Sequence, residues 1–335
     1  RVVRAGPGRG GLPAGPRHGL HTVLGPMARG VQDLALFLDA MSPAGEEPAG
    51  WEGFPLPPPL TESWQAVAAR GLRHPPALRV AYSRLGLPVA GPVEALCRAA
   101  AERLAAGRKL QERTEPFDLR RAERAFYVLR SATFFESFVS RSQEVQASLK
   151  PEIVWNMSCL GGREDVKAWS ASALEDSRAL AGELTALFAE VDVLVTPATL
   201  DGAFDAEVRY PVEAYGSMAP SQRFGDYLEW MMPACLISVV SCPALVLPAG
   251  QLPDGRPVGV QLVCAWGEDA KLLEAAAGLE AALATGLEGG CPEPRRGSCA
   301  LPGRGPRTAE EARRHHAAAA ADVGARYGPA ARARL

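Results

Sequence analysis

Long helix-forming stretches and short apolar runs follow one another along this sequence. Residues 119–190 are rich in Ala, Leu, Glu, Arg and aromatic side chains and contain few helix breakers, which predicts a mainly helical region. Short runs rich in β-branched residues lie on both sides of it, each closed by proline, glycine or another turn residue. These runs predict buried strands at 78–82 (LRVAY), 191–196 (VDVLVT), 244–247 (ALVL) and 258–263 (VGVQLV). Their order favours an α/β fold with a mixed central sheet flanked by helices.

Turn chemistry joins the last two predicted strands. The Pro253-Asp254-Gly255 segment lies between them, where the aspartate can bond to its own backbone and glycine tolerates a positive φ. A β-hairpin is therefore predicted. Further helices are predicted at 93–106 and 269–284. The i, i+3, i+4, i+7 spacing of apolar residues predicts one more core-packing helix, through Val31, Leu34, Ala35 and Leu38.

Two segments fall outside this regular pattern. The proline-rich stretch 42–60 predicts an irregular surface connection, because it cannot hold a regular helix or a central strand. Beyond 288 the sequence becomes rich in Arg, Pro, Gly and Ala with little apolar patterning. We therefore predict one domain over 1–288 and a low-order tail over 289–335, with a possible Ala-rich helix near 313–323. The His315-His316 pair in this tail is expected to be solvated.

Composition and charge exclude several classes of function. The chain has 47% hydrophobic and 22% charged residues and a formal net charge of -2, so no whole-protein field attracts nucleic acid or an anionic membrane. No apolar run approaches the roughly 18 residues that a membrane helix needs, and the first residues lack the apolar core of a secretion signal. The sequence favours a cytoplasmic protein with neither a nucleic-acid nor a membrane partner.

The cysteine pattern and a search for catalytic motifs argue against several kinds of site. The 7 cysteines are scattered without a CxxC pair, which indicates reduced thiols and neither a metal site nor a disulfide framework. The sequence contains no GxSxG, HExxH, phosphate-loop or SxxK motif. Gly6, Gly8 and Gly11 fit GxGxxG, but no strand of usable length precedes them, so no cofactor is predicted.

Three segments, in order, resemble the amidase signature hydrolases. Residues 19–41, GLHTVLGPMARGVQDLALFLDAM, resemble the family's GPMAR-type turn and the helix after it. Residues 191–199, VDVLVTPAT, resemble its strand ending in TP. Residues 241–280, SCPALVLPAGQLPDGRPVGVQLVCAWGEDAKLLEAAAGLE, are similar to its C-terminal signature. The region 1–288 is thereby identified as a partial amidase signature domain.

The resemblance implies amide hydrolysis or transamidation by a serine nucleophile, with a second serine in a cis peptide relaying protons to a lysine. In the family this lysine and a GGSSGGS-type segment precede the GPMAR turn, and neither is found in this sequence. The first residues, RVVRAGP, resemble the family's GVVGLKP, which follows the nucleophile loop. We therefore assign no catalytic residue and expect an amidase fragment that is inactive alone.

The same resemblance suggests where a small-molecule amide would bind. The loop 197–199 and the Cys242-Pro243 segment border the family's substrate cleft, and an aromatic wall is expected from a predicted helix at 224–234. The candidate substrate-binding residues are Thr199, Tyr227, Trp230 and Cys242. Core packing is the alternative role for both aromatic residues and the expected role of Met231 and Met232.

Two other functions remain open at this stage. The chain could be a non-catalytic, amidase-like remnant that binds a small amide or a partner. It could also belong to an amidotransferase and act on an amide together with a companion chain.

Overall fold

A computed structural model describes residues 12–13, 23–41, 62–240, 242–286 and 305–316. Its architecture confirms the predicted α/β class, with a mixed sheet between two helical layers. The helices are α1 (Val31–Met41), α2 (Trp64–Arg73), α3 (Gly91–Ala105), α4 (Leu119–Phe138), α5 (Gln143–Ala147), α6 (Pro151–Ser158), α7 (Arg163–Glu190), α8 (Met232–Val239) and α9 (Asp269–Gly286). A further helical segment covers 309–316. No described helix combines the length and the hydropathy needed to cross a bilayer.

The strands form two sheets. A two-stranded antiparallel sheet joins β1 (Leu12–Pro13) and β2 (Val23–Leu24). The main, 5-stranded sheet has the order β4-β3-β5-β7-β6. Its strands are β3 (Val80–Tyr82), β4 (Gln111–Glu112), β5 (Val193–Pro197), β6 (Ala244–Gln251) and β7 (Pro257–Val263). β3 pairs in parallel with β4 and β5, whereas β7 pairs antiparallel with β5 and β6, so the sheet is mixed.

The predicted hairpin between β6 and β7 is confirmed. The backbone N–H of Gly255 donates to the Leu252 carbonyl at 2.8 Å, and Gly255 has a φ of 86°, a conformation that glycine adopts without a Cβ penalty. The Asp254 carboxylate accepts from the Arg256 backbone N–H at 3.1 Å. This local bonding fixes the turn, and the turn fixes the register of both strands.

Strand alternation divides the interior into two cores. Val193 and Val195 of β5 point to a core shared with α1, α2, α3 and α9, whereas Leu194 points to a core shared with α4, α6, α7 and α8. The sheet therefore separates two helical layers, and the candidate site lies on the α3 and α9 side.

Two sequence expectations need correction. The predicted helix 224–234 is helical only from Glu229, where a 3₁₀ turn leads into α8, so Tyr227 lies before the helix. Pro233 explains this boundary because proline is tolerated in the first turn of a helix but not further along. The expectation of a solvated His315-His316 pair is wrong for His316, which is 3% exposed and packs among aromatic rings. The predicted connection at 42–60 lies outside the described residues, as do residues 289–304 and 317–335 of the predicted tail.

Candidate substrate-binding site

A cavity of about 710 Å³ lies between the β6–β7 hairpin, α3, α9 and the loop that follows β5. Its lining is mainly aliphatic and includes Leu96, Ala100, Val246, Val258 and Leu283. These side chains project from helices and strands, which hold them in place. The volume falls within the range of about 300–1,000 Å³ that is typical of small-molecule sites.

The loop after β5 supplies one polar part of the lining, and Arg103, Gln251 and Glu280 supply others. β5 ends at Pro197, and the Thr199 hydroxyl then donates to the backbone carbonyl of Asp201 at 2.7 Å. This bond fixes the Thr199 side chain at the cavity and leaves the lone pairs of its oxygen as acceptors. Loops at strand ends commonly carry binding groups on a rigid scaffold, and this loop has that position.

Three aromatic side chains, which we call the aromatic wall, line one part of the cavity: Phe204, Tyr215 and Trp230. The Phe204 ring makes edge-to-face contacts with Trp230 at 5.0 Å and with Tyr215 at 5.6 Å. Such pairs stabilise by about 0.5–1.5 kcal/mol beyond area burial. The Trp230 indole N–H has no hydrogen-bond partner among the described residues.

A buried ion pair connects the loops that carry the aromatic wall. The Asp201 carboxylate is fully buried and accepts from the backbone N–H groups of Gly202 at 2.6 Å and Ser217 at 2.5 Å. The Arg256 guanidinium lies 3.6 Å from Asp201 and also donates to the Ala203 carbonyl at 3.1 Å. One carboxylate and one guanidinium thus tie together the hairpin turn and the two loops that carry Phe204 and Tyr215.

The structure brings together two of the four candidate residues. Thr199 and Trp230 both line the cavity. Tyr227 instead belongs to the second core, where its hydroxyl accepts from Arg130 Nε at 2.9 Å and from Asn156 Nδ2 at 2.7 Å. Cys242 also belongs to that core, because it precedes β6 at the end of the hairpin opposite the turn.

Burial explains why the described cysteines are poor candidates for catalysis. Cys97, Cys159, Cys235, Cys242 and Cys264 are free and buried. Burial raises the pKa of the Cys242 thiol to about 12, so this side chain stays protonated and unreactive at neutral pH. Within the described residues, no group of three or more His, Cys, Asp or Glu side chains is arranged to hold a metal ion.

Sequence reasoning missed part of this site. Phe204 and Tyr215 carry no periodic signal because they lie in irregular loops. Asp201 lies in the loop after β5, whereas Arg256 lies in the turn between β6 and β7, so the two residues are far apart in the sequence. Their pairing arises only when the sheet forms.

The fold is that of an α/β domain with a mainly apolar cavity, and comparisons with known proteins place the chain in a family. The chain belongs to the amidase family, whose model matches residues 7–273. A glutamyl-tRNA(Gln) amidotransferase subunit from Thermus thermophilus is 30% identical over 287 residues, which cover 78% of this chain and 55% of that protein. The chain thus spans about half the length of this curated relative.

Solved structures of amidase signature enzymes have the same fold. A 6-aminohexanoate cyclic dimer hydrolase aligns with a TM-score of 0.61 and 21% identity, covering 84% of this chain and 60% of that one. A bacterial aryl acylamidase aligns with a TM-score of 0.59 and 17% identity, covering 84% and 58%. At these identities the likeness concerns the fold.

Proposed function

We propose that this chain forms the substrate-binding wall of an amide-hydrolysing enzyme, with the serine nucleophile and its lysine supplied by residues outside this sequence. The observation that carries the proposal is the cavity. It lies between two segments that resemble the family: the loop that follows Thr196-Pro197 at the end of β5, and the β6–β7 hairpin. Family membership supplies the reaction class, and the lining suggests the substrate.

The chemistry of the lining suits the acyl part of an uncharged amide. Aliphatic side chains from α3, β6, β7 and α9 favour an apolar group, and the aromatic wall offers ring faces and edges. The Thr199 oxygen offers an acceptor for the N–H of an amide. The Trp230 indole N–H is buried, so we assign Trp230 a ring contact with the acyl group.

Binding without hydrolysis is therefore expected of the chain on its own. A serine hydroxyl attacks an amide only when a positioned base and oxyanion donors act with it. The sequence has no motif that combines these groups. Amide hydrolysis is a property that we assign to the whole enzyme.

The test measures, by NMR titration, the affinity of the purified chain for benzamide and for butyramide. Replacing Trp230 by Ala should lower the affinity for benzamide about tenfold, or about 1.4 kcal/mol, since it removes an aromatic contact. Butyramide binding should fall by less than about threefold. Trp169→Ala is the matched control, because Trp169 is partly buried in the second core. Equal losses of affinity for both amides would show that Trp230 does not contact the aromatic group. Absence of amide binding by the parent chain would refute the proposed function.

A second candidate is a role within an amidotransferase, because the relative from Thermus thermophilus carries that name. This function would require binding of an amide with charged groups, such as L-glutamine. The lining does include two further charged residues, Arg103 and Glu280. The Asp201 carboxylate, in contrast, is already engaged by Gly202, Ser217 and Arg256 and is a poor partner for a free amino group. Tighter binding of L-glutamine than of benzamide, with glutamine-dependent tRNA amidation that co-purifies with the chain, would favour this alternative.

A further inference from the structure

The segment 305–316 docks on the domain at several points. The Arg209 backbone N–H donates to the Pro306 carbonyl at 3.1 Å, and Arg307 lies 3.5 Å from the Asp205 carboxylate. The Glu311 carboxylate accepts from the backbone N–H groups of Arg307 and Thr308, which begins the helical segment. Ala312 is fully buried in the second core. We call this segment the latch.

The latch ends by inserting His316 into a recess that we call the aromatic box, formed by Trp155, Tyr210 and Tyr227. The imidazole stacks on Trp155 at 5.4 Å and on Tyr210 at 5.3 Å, with interplanar angles of 28° and 10°. The Tyr227 ring meets it edge-on at 5.7 Å. Only 3% of His316 is exposed. The box thus encloses a titratable ring almost completely.

The surroundings of His316 disfavour a positive charge. Neither ring nitrogen makes a hydrogen bond of standard geometry with a described residue, although the Pro151 carbonyl is close enough to favour the protonated form. Desolvation by burial dominates and lowers the pKa of His316 to about 4, while the nearby Glu152 carboxylate acts in the opposite direction. A neutral imidazole therefore fits the box better than an imidazolium.

Other charges near the box partly offset one another. The Arg209 guanidinium donates to both Glu152 oxygens at 2.9 and 2.7 Å, so it opposes part of the effect of the Glu152 carboxylate on the ring. His315 lies on the same helix, and burial lowers its pKa as well. The titratable and charged groups around the box are Glu152 on α6, Arg209 and Tyr210 on the loop between Phe204 and Tyr215, Asp226 and Tyr227 before α8, Arg130 on α4 and His315 on the latch.

We propose that the latch is a pH-sensitive device, closed on the aromatic box while His316 is neutral and released when the imidazole takes up a proton. The geometry supplies the closed state. Stacking and burial favour closure, and protonation removes this advantage because an imidazolium regains its hydration only outside the box.

The direction of the pH dependence follows from proton linkage. His316 has a pKa of about 4 in the closed latch and an ordinary value near 6.5 when released. The released form therefore binds more protons between these values. Closure is fully favourable above pH 6.5, and its equilibrium constant falls about tenfold for each pH unit from there down to about pH 4.

The first experiment follows the histidine ring signals of the full chain by NMR, which is practicable because the sequence has 5 histidines. His316 should titrate far below the ordinary histidine value near 6.5. In parallel, hydrogen exchange of the backbone amides of 309–316, corrected for intrinsic rates, should show protection at pH 7 that is lost toward pH 4.5. Amides of α9 serve as the internal reference, since global unfolding would expose them too.

Three variants distinguish the effect of imidazole protonation from the effect of ring packing. His316→Phe keeps a ring without a titrating nitrogen, so latch protection should no longer depend on pH. His315→Gln is the matched control and should keep the response of the parent chain. His316→Ala should open the latch at pH 7, and added imidazole should restore protection by filling the box.

Two results would overturn the proposal. One is a His316 titration midpoint near 6.5, and the other is a latch protection in His316→Phe that depends on pH as in the parent chain. If His316→Phe does not fold, as judged by α9 exchange, restoration of His316→Ala by imidazole supports the proposal and its failure contradicts it.

Discussion

Asp201 places a carboxylate in the protein interior, and its surroundings explain how it is tolerated there. A buried charge needs both a counter-charge and hydrogen bonds, and Asp201 has Arg256 together with the N–H groups of Gly202 and Ser217. The close fit leaves no room for side chains at two glycines. A Cβ on Gly216 would lie 2.6 Å from the Asp201 carboxylate, and one on Gly202 would lie 2.8 Å from Arg256.

Removing this carboxylate should be costly. Asp201→Ala leaves two backbone N–H groups without their acceptor, while Arg256 keeps Asp254 as its partner, so the free energy of unfolding should fall by about 1–3 kcal/mol for each unpaired group. Asp254→Ala is the control, because Asp254 bonds to the same guanidinium but its side chain is 32% exposed. That change should cost about 1 kcal/mol or less. Urea unfolding measures both values, and similar losses in the two variants would contradict the assigned role of Asp201.

At the scale of elements, α2 and α9 make the closest helix contact that we identify. A Cβ on Gly71 of α2 would lie 2.5 Å from the Cα atom of Glu274 in α9. The backbones approach so closely that only a hydrogen atom fits between them. Arg70 donates to the Glu274 carboxylate at 2.7 Å beside this contact. The absence of a side chain at Gly71 is therefore a packing requirement.

Two glycine substitutions should have opposite effects on stability. Gly71→Ala forces α2 away from α9, and such overpacking should lower the free energy of unfolding by about 1–3 kcal/mol. Gly182→Ala in α7 is the matched control, since a Cβ there meets nothing within 4 Å. It should raise stability by about 0.5–1 kcal/mol through helix propensity. Thermal and urea unfolding of both variants provide the measurement, and a stabilised Gly71→Ala would show that the helices separate easily.

The sequence predicted elements well where periodicity and turn chemistry agree. β5, β6, β7, α1 and α9 lie where the patterns placed them, because each has a strong local signal. The position of Tyr227 was harder to predict. The Asp226 carboxylate accepts from the Leu228 backbone N–H at 2.8 Å, a local turn that competes with helix formation. The burial of His316 depends on distant aromatic residues, and no local pattern encodes such contacts.

At the scale of the whole molecule, the described serine hydroxyls are mostly engaged in local structure. Ser170, Ser177 and Ser238 each donate to the backbone carbonyl four residues earlier in their helices. Lys271, a potential base, pairs instead with Glu268 at 3.1 Å. These serines have the backbone contacts of helix residues, without the activating contacts of a nucleophile.

The purified chain should therefore not react with a fluorophosphonate, which labels serines activated by a base. Labelling depends on a hydroxyl that donates its proton to a positioned base, whereas the helix-bonded serines donate to backbone carbonyls. Intact-protein mass spectrometry after incubation should show no stoichiometric adduct, while an active serine hydrolase in the same tube reacts completely. Benzamide binding by the same preparation would show that the chain is folded and that its cavity is accessible. An adduct on one serine, blocked by benzamide, would contradict the proposal that the nucleophile lies outside this sequence and would assign catalysis to the chain itself.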